Sequence, residues 1–239
     1  MYLKFNNAYL AAKLDWIDRS LKTIPIVHKQ KHRDKYVIRY RDYGKLRQVC
    51  DSHSKYRELE GYYSRSQNLK SIRNQLSACI TDSRQIKIRT GIKAVFNRND
   101  YDRMVPKTDN NDGYHPYRHK EFYMRSRFEV AMAAELDNLG LEYKYEPTFR
   151  INGYQFSPDF VIYIPEYDCC IIVECEGMTD EVSYVNRNGV KFAEYLYIGL
   201  VFGMTLVVLQ GTKESMPSPE LMRNSVISAI NLLSSYYTV

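Results

Sequence analysis

The spacing of apolar residues changes character along the chain. In "NNAYLAAKLDWIDRSLK" (Asn6 to Lys22), Leu10, Leu14, Ile17 and Leu21 recur every three or four positions, which predicts an amphipathic helix. "KYVIRYRDYG" (Lys35 to Gly44) reads as a short strand ending in a turn. From Lys45 to about Ile80, Leu59, Tyr62, Leu69, Ile72 and Leu76 return at helical spacing, as one long helix or two broken ones. "NRNDYDRMVPKTDNNDGYHPYRHK" (Asn97 to Lys120) then gathers Pro, Gly, Asn and Asp, the composition of a linker or loop.

The second half has a sharper pattern. "FYMRSRFEVAMAAELDNLG" puts Phe128, Met132, Leu136 and Leu139 on one helical face, and Gly140 ends it. "YKYEPTFRI" and "YQFSPDFVIYI" flank Asn152-Gly153, which predicts a hairpin with a type I′ turn. Cys169 to Glu176 is a third strand, followed by a helix from about Val182 to Phe202 and a strand from Thr205 to Leu209. Ser218-Pro219-Glu220 opens a last helix with Met222, Val226, Ile230 and Leu233 on its buried side. The order α-β-β-β-α-β-α predicts an α/β (α+β) domain over residues 111–239, a mixed sheet flanked by helices. A mostly helical region over residues 1–110 precedes it.

One stretch imitates a membrane span. Tyr195 to Thr212 carries no charge, yet it falls short of the ~20 apolar residues a span needs. Gly203 also divides it, so a buried helix running into a buried strand is expected. Met1 to Asn7 lacks the apolar core of a signal peptide, and a cytoplasmic location, in a host cell if the source is viral, is the expectation. Five cysteines with no Cys-x-x-Cys pair argue against a disulfide scaffold or zinc knuckle.

Charge is split along the chain. Residues 1–120 hold 26 Lys+Arg against 12 Asp+Glu, and residues 121–239 hold 8 against 16. Such asymmetry suggests a basic part that meets a polyanion. Within it, "KYVIRYRDYGKLR" and "KYRELEGYYSRSQNLKSIR" interleave cations with tyrosine, a composition suited to phosphates and bases. Arg39, Arg41, Lys45, Arg47, Arg65, Lys70 and Arg73 are the candidate nucleic-acid contacts, with Arg125 and Arg127 beside the C-terminal helix.

The candidate chemistry lies in "YQFSPDFVIYIPEYDCCIIVECEG". Glu174 and Glu176, two apart on a strand, face one way while Cys175 faces the other. Asp159 opens the preceding strand. Carboxylates converging at one sheet end repel each other unless a cation lies between them. An oxygen-only set suits Mg²⁺ or Mn²⁺.

These residues resemble the PD-(D/E)XK nuclease superfamily. "RSRFE" offers its helix glutamate as Glu129, "SPDF" its Pro-Asp as Asp159, and "VECEG" the glutamate of Glu-x-Lys as Glu174. The resemblance spans about Tyr123 to Gln210 and implies a restriction-endonuclease-like α-β-β-β-α-β core. It also implies a metal held by Asp159, Glu174, the carbonyl of Cys175 and Glu129, and hydrolysis of phosphodiesters, in DNA rather than RNA. Phage and mobile-element enzymes look closest in style, and a homodimer or larger complex is common in such enzymes. The chain departs from the pattern at Glu176, where the family has lysine. Either Glu176 acts as general base, or Lys191 on the next helix replaces the lysine, as in RNA-cleaving relatives. A non-cleaving nucleic-acid-binding or assembly protein is the rival from another class. Glu135 is a competing helix acid, and His115 with His119 a weak zinc candidate.

Overall fold

Helix α1 (Asn7–Thr23), strands β1 (Val27–His32), β2 (Lys35–Asp42) and β3 (Lys45–Cys50), and helix α2 (Tyr56–Cys79) fill most of the first half of the chain. The computed structural model describes residues 4–80, 94–107, 116–151 and 153–237. It falls into two units, residues 10–85, and residues 1–9 with 86–239.

In the first unit the strands form an antiparallel meander in the order β1-β2-β3. Val27, Ile38 and Val49 meet Tyr56 and Leu59 of α2 on one face of that sheet, with Tyr40, Tyr62 and Tyr63 around them. Ile17 and Ile24 meet Leu69, so α1 and α2 share a second small core. Helix outweighs strand in this region as expected, but a three-stranded sheet stands between the helices where a single short strand is expected. Lys45–Cys50 in particular is strand, not the start of a helix. As an edge strand with its first four residues exposed, it lacks the apolar alternation that would mark it.

The second unit is built on a mixed sheet in the order β11-β10-β9-β6. Its strands are β6 (Glu142–Tyr145), β9 (Phe160–Ile164), β10 (Cys169–Glu176) and β11 (Leu206–Gln210). β10 runs parallel to β11 and antiparallel to β9, and β6 is antiparallel to β9. Every residue of β9 and β10 is buried, which fits central strands covered on both faces. Val161, Tyr163, Cys170 and Ile172 turn to one face, where they pack with Phe96, Phe156, Leu206 and Tyr195 of α5 (Val182–Tyr197). On the other side α4 (Arg127–Asn138) packs on α6 (Pro219–Tyr237), with α6 along β11 and α4 along β6.

Several boundaries differ from expectation for local reasons. Glu146-Pro147 and Ser157-Pro158 interrupt the long hairpin, because proline cannot donate to a ladder. The distal strands β7 (Phe149–Ile151) and β8 (Tyr154–Phe156) therefore pair as a separate ribbon, with Gly153 at φ +84° in the turn. Asn152 lies outside the described residues. α5 stops at Tyr197, since Gly199 adopts φ +97° and the Leu200 N–H bonds back to the Tyr195 carbonyl in a Schellman-type ending. Part of the supposed linker is ordered: α3 (Arg98–Arg103) starts from a capping box on Asn97 and buries Tyr101. Strands β4 (Tyr117–His119) and β5 (Phe122–Met124) form a short hairpin before α4. Among the described residues no helix is long and apolar enough to cross a membrane.

Candidate active site

Strand register gathers acids at one end of the mixed sheet. Val173 pairs with Phe160, and Tyr145 pairs with Phe160 from the other side. One residue further along, Glu174, Asp159 and Glu146 therefore stand in a row across β10, β9 and β6. The Glu146 N–H donates to the Asp159 carbonyl at 2.9 Å, which keeps that row closed. Glu176 lies two residues on from Glu174 and so turns to the same face.

The helix over that face, α5, supplies the partners. Lys191 Nζ donates to Glu174 Oε2 at 2.6 Å, and the Tyr195 hydroxyl donates to Oε1 at 2.5 Å. Glu174 is fully buried between them. Asn188 and Tyr184 bond the Glu176 carboxylate. Residues 184, 188, 191 and 195 follow the spacing of one helical face, so a single polar stripe serves both acids.

The start of α4 supplies the rest. Ser126 caps the helix by accepting from the Glu129 N–H at 3.1 Å, which fixes Glu129 in the first turn. Glu129 Oε2 accepts from the Arg125 N–H at 2.9 Å and from the Tyr145 hydroxyl at 2.8 Å. Arg125 reaches across the row: Nη2 is 2.7 Å from Asp159 Oδ1, and Nε is 2.7 Å from Glu146 Oε1 and 3.8 Å from Glu129 Oε1. Asp159 Oδ2 accepts from the Cys175 N–H at 2.7 Å. An open cleft of about 1040 Å³ has Arg125, Glu129, Asp159, Glu176, Arg187 and Lys191 in its wall, while Glu174 stays buried behind it.

The electrostatics follow from five carboxyl groups, Glu129, Glu146, Asp159, Glu174 and Glu176, paired with three cations, Arg125, Lys107 and Lys191, while Arg187 lines the same cleft. Burial pushes the Glu174 carboxyl up to about 8, with Asp159 adding to the shift and Lys191 opposing it. Burial and Asp159 likewise raise Glu129. Glu176 is raised by burial against the pull of Tyr184 and Lys191. Burial opposes charge on Lys191 and on Arg125, but the acids outweigh it and raise both. Burial is the largest cause of each raised carboxyl.

The candidate residues Glu129, Asp159, Glu174, Cys175, Glu176, Lys191 and Arg125 thus meet at one place. Glu146, Tyr145, Tyr184, Asn188 and Tyr195 join them without having been singled out in the sequence. Glu146 sits one residue past β6, before a proline and at φ +39°, so only the strand register reveals it. Among the described residues no three His, Cys, Asp or Glu side chains stand grouped as a ligand set.

Other candidates lie elsewhere. Glu135 pairs with Arg223 of α6 at 2.7 Å, away from the cleft. His119 bonds Asp137 at 2.7 Å, and His115 lies outside the described residues. Cys169 and Cys170 are buried core thiols. Arg127 stacks over the Tyr117 ring. Arg39 and Arg41 project from one face of the β1-β2-β3 sheet, while Lys45 and Arg47 alternate to the other. Arg65 and Lys70 are exposed on α2, and Arg73 is held by Asp18 of α1 at 2.6 Å. Comparison with protein families, characterised proteins and solved structures finds no match for this chain.

Proposed function

We propose that this chain is a divalent-metal-dependent endonuclease acting on DNA, with a restriction-endonuclease-like core. The observation that carries the reading is the meeting of Glu129, Asp159 and Glu176 in the wall of one open cleft, with Glu174 buried directly behind Lys191. Asp159, Glu174 and the Cys175 carbonyl would hold Mg²⁺ or Mn²⁺, with Glu129 beside them. The donor type fits, because Asp159 and Glu174 offer oxygens only and each of their four carboxylate oxygens accepts one hydrogen bond here, leaving a lone pair. When bound, the ion supplies Lewis-acid activation of a phosphodiester and of water.

The chain's own groups do the rest. Lys191 stays protonated on Glu174 and lies in the cleft wall, where it offsets charge growing on a phosphate. Glu176, its carboxyl raised above the usual glutamate value by burial, takes a proton from the attacking water. Arg125 and Arg187 line the same cleft and hold the flanking phosphates.

A second reading has its own support. Both oxygens of Asp159 and both of Glu174 already have partners. That arrangement also suits a protein that binds nucleic acid and keeps the acids as a structural ion-pair cluster. Supercoiled plasmid incubated with Mg²⁺ or Mn²⁺ separates the two. The enzyme reading expects nicking that Asp159→Asn lowers about a hundredfold or more, with Glu135→Gln close to wild type. Plasmid that stays intact with every divalent ion, while still retarded in a gel, favours the non-cleaving reading.

A further inference from the structure

Strand alternation sorts the basic residues of the β1-β2-β3 sheet onto two faces. Ile38 and Tyr40 turn toward α2, so Arg39 and Arg41 turn away from it. The register places His28 and Gln48 on either side of Arg39, and Leu46 across from Arg41. Arg39, Arg41, His28, Gln48 and Leu46 are all exposed. The one carboxylate within these three strands, Asp42, has the parity of the α2 face. Both guanidinium groups are oriented along the sheet: Arg39 Nε donates to Gln48 Oε1 at 3.0 Å, and Arg41 Nη1 donates to the Gly44 carbonyl at 3.2 Å. The unit around them, residues 10–85, carries 17 Lys+Arg against 8 Asp+Glu.

We propose that this face of the sheet enters the major groove of duplex DNA. Three strands about 4.8 Å apart span roughly 10 Å, which fits a groove about 12 Å wide. Arginine and glutamine are the side chains that bond guanine and adenine edges there, and the surplus cations of the unit meet the flanking phosphates. Duplex RNA offers a major groove too narrow for the sheet. A single strand calls for an aromatic platform, but Tyr36 and Tyr40 have the parity of the opposite face. The inference adds a mode of capture to the proposed nuclease and is independent of whether the chain cuts.

The test uses the full chain in EDTA, so that binding is read without cleavage. A short fluorescent DNA duplex, one of its strands, and an RNA duplex of the same sequence are titrated by anisotropy. The DNA duplex is expected to bind tightest, with guanine N7 protected from dimethyl sulfate. Arg39→Ala with Arg41→Ala weakens it about tenfold or more and removes N7 protection. Lys45→Ala with Arg47→Ala takes equal charge from the other face and leaves N7 protection in place. Arg39→Lys with Arg41→Lys keeps the charge and the salt dependence and retains part of the N7 protection, which rules out simple misfolding as the cause of the alanine result. Undiminished affinity in the Arg39/Arg41 alanine variant, binding without N7 protection, or equal affinity for RNA or a single strand overturns the inference. A chain that binds this way yet cuts with no metal removes the nuclease reading and leaves this one intact.

Discussion

Arg125 stands where three acids meet, bonding Asp159 and Glu146 and lying 3.8 Å from Glu129. It supplies positive charge beside those carboxyls, and it competes for Asp159 Oδ1 with any entering cation. Arg125→Ala should therefore act in two opposite directions. The metal-free protein loses about 1–3 kcal/mol, a figure discounted because the side chain is 39% exposed. Mn²⁺, in turn, binds more tightly, since an unpaired buried carboxylate gains more from the ion. Thermal melts with and without Mn²⁺ should show a lower metal-free Tm and a larger Mn²⁺ shift than wild type. A shift equal to or smaller than wild type removes Arg125 as a competitor.

Elements differ in how much of themselves the sequence discloses, and the reason is burial. β9 and β10 are wholly buried, so they read as apolar runs in which Asp159, Glu174 and Glu176 stand out. The stripe on α5 was half legible: Lys191 is conspicuous on an apolar helix, but Tyr184, Asn188 and Tyr195 look like ordinary helix residues until paired with Glu174 and Glu176. β3 was not legible, since an edge strand of exposed polar residues has no period to detect. The β4–β5 hairpin shows a clasp that is also tertiary. Asp137 at the end of α4 takes His119 at 2.7 Å and Lys120 at 2.6 Å across the β4–β5 turn. Burial pushes the Asp137 carboxyl up, but its bonds to Lys120 and His119 outweigh that and leave it below the usual aspartate value of 3.8. A depressed carboxyl contributes stability that is complete above its unfolded pKa and disappears as pH falls through the folded one. Amide protection factors of residues 117–124, taken relative to the intrinsic exchange rate at each pH, should thus be high at pH 5 and fall below about pH 3.8, ahead of the mixed sheet. Protection that falls together with that of β9 and β10 would mean the clasp has no separate role.

Across the whole molecule charge is partitioned by unit. Residues 10–85 hold 17 Lys+Arg against 8 Asp+Glu, and the remaining residues hold 17 against 20. On the proposed reading, affinity for a polyanion would come from the first unit, while the acids of the second would repel the phosphodiester. This division fixes the sign of an effect that ordinary active-site substitutions do not have. Asp159→Asn removes a negative charge from the cleft, so in EDTA it should bind duplex DNA as tightly as wild type or up to about threefold more tightly. In Mg²⁺ that advantage should vanish, because the wild-type cleft would then carry the neutralising ion and the variant would not. Anisotropy titrations of both proteins in EDTA and in Mg²⁺, with a non-cleavable phosphorothioate duplex, give the four affinities. Weaker binding by Asp159→Asn in EDTA, with its fold intact by circular dichroism, would place DNA affinity in the acidic cleft and break the division of labour between the two units.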